Sequence, residues 1–165
     1  MDIFELLNEL NINYEVISHQ AVSTVEEAKH LENMIEGIGC KNLFLTDKKG
    51  KYFLFTLHEY KKANLKELAN QLNVSKLSFA SFEDLKEILN LEPGSVTPLS
   101  IINDKDNKVT LVIDEDIITE KILVHPNTNT KTMSINFKDI EKIFNYTNHK
   151  YIIYKDWLYG LKRSI

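Results

Sequence analysis

This sequence predicts an α+β fold: a single domain with a strongly curved sheet, mixed or largely antiparallel, and helices packed against it. Three observations carry the prediction. Short β-prone runs alternate with segments of helical periodicity along the chain. Residues 40–46 and 52–57 are separated only by Asp47-Lys48-Lys49-Gly50-Lys51 and read as an antiparallel hairpin. No repeat, linker or low-complexity tract divides the 165 residues, a length that suits one domain with a real core.

In chain order, Asp2 caps a helix with Ile3, Leu6, Leu7 and Leu10 on one face, and residues 14–18 form a short strand. Ser23 with Glu26 and Thr24 with Glu27 make overlapping capping boxes for a helix running to about Glu32. Gly37 and Gly39 break the chain before the hairpin. Asn64 and Ser81 then precede two helices, with a short strand at 76–79 between them. Residues 99–102 and 108–113 read as a second hairpin, followed by a helical turn at 114–119 and a strand at 121–125. A polar loop leads into Met133-Ser134-Ile135, Asn136 caps a helix with Phe137, Ile140, Ile143 and Phe144, and residues 151–154 are the last strand.

Composition narrows the function. With 43% hydrophobic and 27% charged residues the chain reads as globular, and its single cysteine excludes an internal disulfide and favours a reducing, cytoplasmic setting. No apolar run approaches the roughly 20 residues of a membrane span, and the first residues lack the basic start of a signal peptide, so no membrane partner is expected. The net charge of -4 hides an asymmetry: residues 41–66 hold seven lysines against Asp47 and Glu59, a local +5, which leaves -9 elsewhere. Such a body could meet a polyanion at one face, through Lys48, Lys49, Lys61 and Lys62. Generic DNA binding is disfavoured by the acidic remainder and by the lack of a helix-turn-helix with a basic recognition helix.

Lys41 is the first candidate site residue. Period-2 alternation puts it on the face of Leu43 and Leu45, at the strand end opposite the turn, where it either snorkels into water or aims an ammonium into a cleft. The segment from Leu91 to Leu99 is the most distinctive loop. Pro93-Gly94 makes a tight turn and Pro98 a second bend, leaving Gly94, Ser95 and Val96 with backbone N–H groups that a ligand could approach. His125 is either structural or a base. No nucleophilic triad, Gly-rich phosphate loop, zinc spacing or paired-carboxylate motif is readable, so neither cofactor nor metal is expected.

Lys41-Asn42-Leu43-Phe44-Leu45, Glu92-Pro93-Gly94-Ser95-Val96-Thr97-Pro98-Leu99, and His125-Pro126 with Asn129-Thr130 resemble the signature segments of the trans-editing prolyl-tRNA deacylases. These are the YbaK/ProX-type, free-standing relatives of the editing insertion domain of bacterial prolyl-tRNA synthetase. The likeness also takes in Thr24 to Ala28 and Leu77 to Ser81; it spans residues 1–154 and leaves 155–165 as a C-terminal tail. It implies hydrolysis of a mischarged aminoacyl-tRNA without a cofactor, with the alanyl-tRNA(Pro) branch nearest and the cysteinyl-tRNA(Pro) branch as the alternative. Mischarged tRNA(Pro) is the implied partner, and prolyl-tRNA synthetase a candidate one. Carried over residue by residue, it makes Lys41 the essential lysine, Asn42 and Gly94, Ser95, Val96, Thr97 and Pro98 the substrate-binding segments, and His125 and Asn129 further pocket residues. A non-catalytic module that senses aminoacyl-tRNA or the synthetase is the competing class.

Overall fold

Strand β2, residues Ile38–Thr46, is the spine of the molecule because three different strands pair along it. The computed structural model describes residues 2–21 and 25–156. The capping boxes expected at Ser23 and Thr24 therefore lie outside the described residues. The described elements are helices α1 (Ile3–Glu9), α2 (Val25–Glu32), α3 (Leu65–Leu72), α4 (Phe82–Leu89) and α5 (Phe137–Tyr146). The strands are β1 (Glu15–Ser18), β2, β3 (Tyr52–His58), β4 (Ser78–Phe79), β5 (Val109–Asp114), β6 (Lys121–Val124), β7 (Lys131–Asn136) and β8 (Tyr151–Tyr154).

The strands run β1-β7-β6-β2-β3-β5-β8 across a mixed sheet, with β4 added to β2. The β2–β3 hairpin forms in the expected register, Thr46 opposite Tyr52 and Leu43 opposite Phe55. Its turn is built by Asp47, whose Oδ1 accepts the N–H groups of Lys49 at 2.8 Å and Lys51 at 3.0 Å, with Gly50 at φ +96°. β3 then runs parallel to β5, β5 parallel to β8, and β2 parallel to β6.

Alternation along the central strands fills two cores. Phe44, Leu54, Leu111 and Ile113 face the larger one with α1, α4 and α5, while Leu45, Phe53, Phe55 and Val112 face a smaller one under α3. Strands buried on both faces read as continuous apolar runs, as residues 43–45, 52–55 and 111–113 do. Each fully buried Leu or Phe contributes about 1.5–3 kcal/mol.

The second hairpin does not form. Pro98–Asn103 is a 3-10 helix, because Thr97 caps it by accepting the N–H of Leu99 at 3.3 Å and Pro98 supplies a preset φ at a position that needs no donor. Ser100 reinforces the turn by donating to the Thr97 carbonyl at 2.7 Å. Strand β5 is started instead by Asp104, whose carboxylate accepts the N–H groups of Lys108 and Val109, both at 2.9 Å.

Candidate active site

The fold opens a fork beside β2. Ile38 and Gly39 pair with Ile122 and Leu123 of β6, but beyond Gly39 the two parallel strands part, and β4 pairs with β2 only at Leu45 and Thr46. Crevices beyond the carboxyl ends of parallel strands are where open sheets admit ligands. Here Gly39, Cys40 and Asn42 line one prong of a cavity of about 150 Å³, and Leu123, Val124 and His125 line the other. Thr132 of β7, Glu59 just after β3, and Ala28, Leu31 and Glu32 of α2 close it.

Two polar side chains are held in fixed orientations on the prongs. Asn42 accepts a 2.7 Å bond at Oδ1 from the hydroxyl of Thr56, its partner across the hairpin, which leaves the amide NH₂ as a donor for the cavity. His125 bonds through Nδ1 to the Lys131 carbonyl at 2.9 Å. A carbonyl only accepts, so the neutral ring carries its proton on Nδ1 and keeps a lone pair on Nε2. Thr132 is engaged by His19 Nε2 at 2.8 Å, and the other nitrogen of His19 donates to the Gln20 carbonyl at 2.7 Å. Cys40 reaches the cavity wall, but burial first, and the carboxylates of Asp114, Glu59 and Glu32 after it, push its thiol far above the usual range. A neutral thiol is a poor nucleophile, so the chemistry here is not thiolate chemistry.

Two carboxyl groups share this cavity. Glu32 ends α2 and Glu59 follows β3, pinned by its own N–H to the Gly39 carbonyl at 3.0 Å. The Glu32 carboxyl is pushed up to about 7 by burial, then by its hydrogen bond to Glu59 and the charge of that neighbour, with Lys29 pulling back. Both groups lie over Gly39: a Cβ there would stand 2.3 Å from Glu59 Oε2 and 2.7 Å from Glu32 Oε1. The absence of a paired-carboxylate motif in the sequence is thus corrected by the fold. Helix α2 and the end of β3 meet over a glycine, and no local spacing signals it.

The other predicted residues lie elsewhere. Lys41 is not among the lining residues; its ammonium donates to the backbone carbonyl of Lys61. Lys61 itself is corrected from a surface contact to a core residue: it is 7% exposed, and its ammonium lies 2.7 Å from both Asp114 and Asp116. Gly94, at φ +89°, lies against Asn129, with 3.8 Å between the place of its missing Cβ and Asn129 Nδ2. The Gly94 loop thereby touches the β6–β7 loop that carries His125. Ser95 is buried and its N–H is spent on the Glu92 carbonyl at 3.2 Å, so that expected backbone donor is not available to a ligand. Val96 packs on the larger core, and Thr97 and Pro98 begin the 3-10 helix.

Comparison with known proteins shows the family. The family description "Aminoacyl-tRNA editing domain" matches residues 19–143. The prolyl-tRNA editing protein ProX of Acetoanaerobium sticklandii is 38% identical over 141 residues, covering 83% of this chain and 85% of that one. The prolyl-tRNA synthetase associated domain-containing protein 1 of Danio rerio is 35% identical over 155 residues, covering 92% and 84%. Among solved structures, a protein proposed as a trans-editing enzyme for prolyl tRNA synthetase superposes with a TM-score of 0.69 at 17% identity, covering 93% of this chain and 94% of its own, a likeness of fold. With its match to that description and to relatives of such identity, the chain belongs to the aminoacyl-tRNA editing domain family.

Proposed function

We propose that this protein hydrolyses the ester joining a wrong amino acid to tRNA(Pro), with alanyl-tRNA(Pro) as the preferred substrate. The observation that carries the reading is the pairing of the Asn42 amide with His125 Nε2 across one small cavity. An aminoacyl ester is already activated, so hydrolysis needs an oriented water and a donor for the developing oxyanion rather than a covalent intermediate. Water attacks the carbonyl carbon and gives its proton to His125 Nε2; Asn42 donates to the carbonyl oxygen as it becomes an oxyanion. The bond to the ribose oxygen then breaks, and that oxygen takes the proton back from the imidazolium. Lys41 anchors the terminal nucleotide electrostatically from the outer face of β2, and Gly94 with Asn129 forms the neighbouring nucleotide contact.

Selection against proline is a matter of size. The aminoacyl group shares this cavity with the attacking water, so the apolar walls Leu31 and Leu123 leave room for an alanyl methyl and clash with the larger prolyl ring. One methylene is worth only about 1–3 kcal/mol, so glycine and serine are excluded weakly. The test is a multiple-turnover assay with alanyl-, cysteinyl-, seryl- and prolyl-tRNA(Pro). Turnover highest on the alanyl ester and absent on the prolyl ester supports the proposal; stoichiometric retention of aminoacyl-tRNA without hydrolysis would make the protein a binding module instead.

A further inference from the structure

The mechanism above leaves two residues of the cavity unused, Glu32 and Glu59. Their arrangement is costly: two carboxyls in hydrogen-bond contact cannot both ionise, and burial disfavours the charge of Glu32. It also constrains the strand beneath them, since any side chain at position 39 would collide with both groups. Gly39 has no left-handed backbone requirement, so space for the carboxyls is the constraint on that residue. Lys29 of the same helix lowers the Glu32 carboxyl but does not bring it back to the ordinary range. Asn42 and His125 reach the same cavity independently and address the ester, not the rest of the amino acid.

An aminoacyl ester has one more charged group that a site of this size must meet, its α-ammonium. An ammonium placed between two carboxylates replaces their shared proton with a full cation and turns their repulsion into attraction. We propose that Glu32 and Glu59 together bind the α-ammonium of the aminoacyl group, which makes a free primary amine a condition of hydrolysis and orients the carbonyl toward Asn42. The inference rests on the deacylase reading and deepens it. It differs from the size filter in acting on the amine and not on the side chain.

The experiment compares alanyl-tRNA(Pro) with lactyl-tRNA(Pro), an ester of the same shape in which a hydroxyl replaces the ammonium. Hydrogen bonds to charged groups are strong enough that the unaltered protein should favour the alanyl ester in kcat/KM by roughly 10- to 100-fold. In the doubly substituted protein (Glu32→Gln with Glu59→Gln), alanyl turnover should fall by a similar factor, mostly through KM. Lactyl turnover should hold, so the ratio of the two collapses toward one. Gly39→Ala, which leaves both carboxyls in the chain but crowds them out of place, should shift the ratio in the same direction. Equal cleavage of both esters by the unaltered protein, or an unchanged ratio in the Gln variants, would overturn the ammonium site while leaving the deacylase reading intact. Absence of turnover on every ester in the panel would overturn the deacylase reading itself, and this inference with it.

Discussion

Two clusters of charged side chains flank β2, and they follow opposite rules. On one side Lys61 sits between Asp114 and Asp116 at 2.7 Å from each, and Asp114 also accepts the N–H groups of His58 at 3.0 Å and Asp116 at 3.1 Å. Opposite charges and saturated acceptors make that cluster complete without any ligand. On the other side Glu32 and Glu59 meet over Gly39 as two carboxyls in hydrogen-bond contact, held together by a proton and not by an opposite charge. A cluster of opposite charges is a strut, and a carboxyl pair whose shared proton an incoming cation can replace is fitted to be a receptor. Lys41 belongs to the first side: its ammonium is bonded to the carbonyl of the same Lys61 that the aspartates hold.

The sharpest way to break this comparison is to remove a carboxylate from each side. Asp114→Ala strips the completely buried partner of Lys61 and two backbone donors, and should cost about 3–5 kcal/mol of unfolding free energy in a urea titration. Glu59→Gln should cost nothing comparable, because it relieves repulsion. Equal losses in the two variants would erase the distinction between strut and receptor.

Next in size are the effects on turnover. Removing one preorganised oxyanion donor typically costs roughly 10²- to 10³-fold in rate. Asn42→Ala should lose that much in kcat and also lower the urea midpoint, because the buried Thr56 hydroxyl loses its acceptor, and Lys41→Ala should lose at least 10²-fold with its fold intact. Thr56→Val should lose less, roughly tenfold, since it frees the Asn42 amide to rotate without deleting it. Near-normal deacylation by Lys41→Ala would remove that lysine from the site.

A pH series sharpens the comparison further. Glu32 is raised in the folded protein from an ordinary 4.5 to about 7, so the native state keeps a proton that the unfolded chain has already lost between those values. Its contribution to stability is therefore full below about pH 4.5, declines as pH rises toward 7, and is flat beyond. Urea midpoints of the unaltered protein minus those of Glu32→Gln should decline over that window.

What the sequence showed and what it hid follow from the range of the interactions involved. The β2–β3 hairpin was legible because alternation and a Lys-Lys-Gly turn are local. The apolar run at 99–102 misled because hydrophobicity alone cannot tell a strand from a buried 3-10 turn; the Thr97 cap and Pro98 decided it. Asn42 and His125 were singled out through motif likeness, and the fold brings them to one cavity, one on each prong. The carboxyl pair was invisible, since Glu32 and Glu59 meet only after α2 folds over Gly39. Lys61 was misread for the same reason: a lysine in a basic run reads as surface until Asp114 and Asp116, some fifty residues on, enclose it.

The smallest effect concerns the lysines that remain outside. With Lys61 withdrawn, Lys62 is exposed at the fork end of the hairpin, while Lys48 and Lys49 are exposed at its turn, roughly 20 Å from Asn42 at about 3.3 Å per strand residue. A tRNA whose aminoacyl end fills the fork brings its single-stranded terminus past Lys62 and its acceptor duplex toward the turn. Each duplex phosphate contact contributes a slope of about 0.9 in log affinity against log salt, and each single-strand contact about 0.7. Joint replacement of Lys48 and Lys49 by Ala should therefore lower the slope by about twice the duplex value, and Lys62→Ala by the single-strand value, with little change in kcat. An unchanged slope in the turn variant would put the duplex on another face. The receptor side of β2 would then have to bind its substrate without help from the basic hairpin.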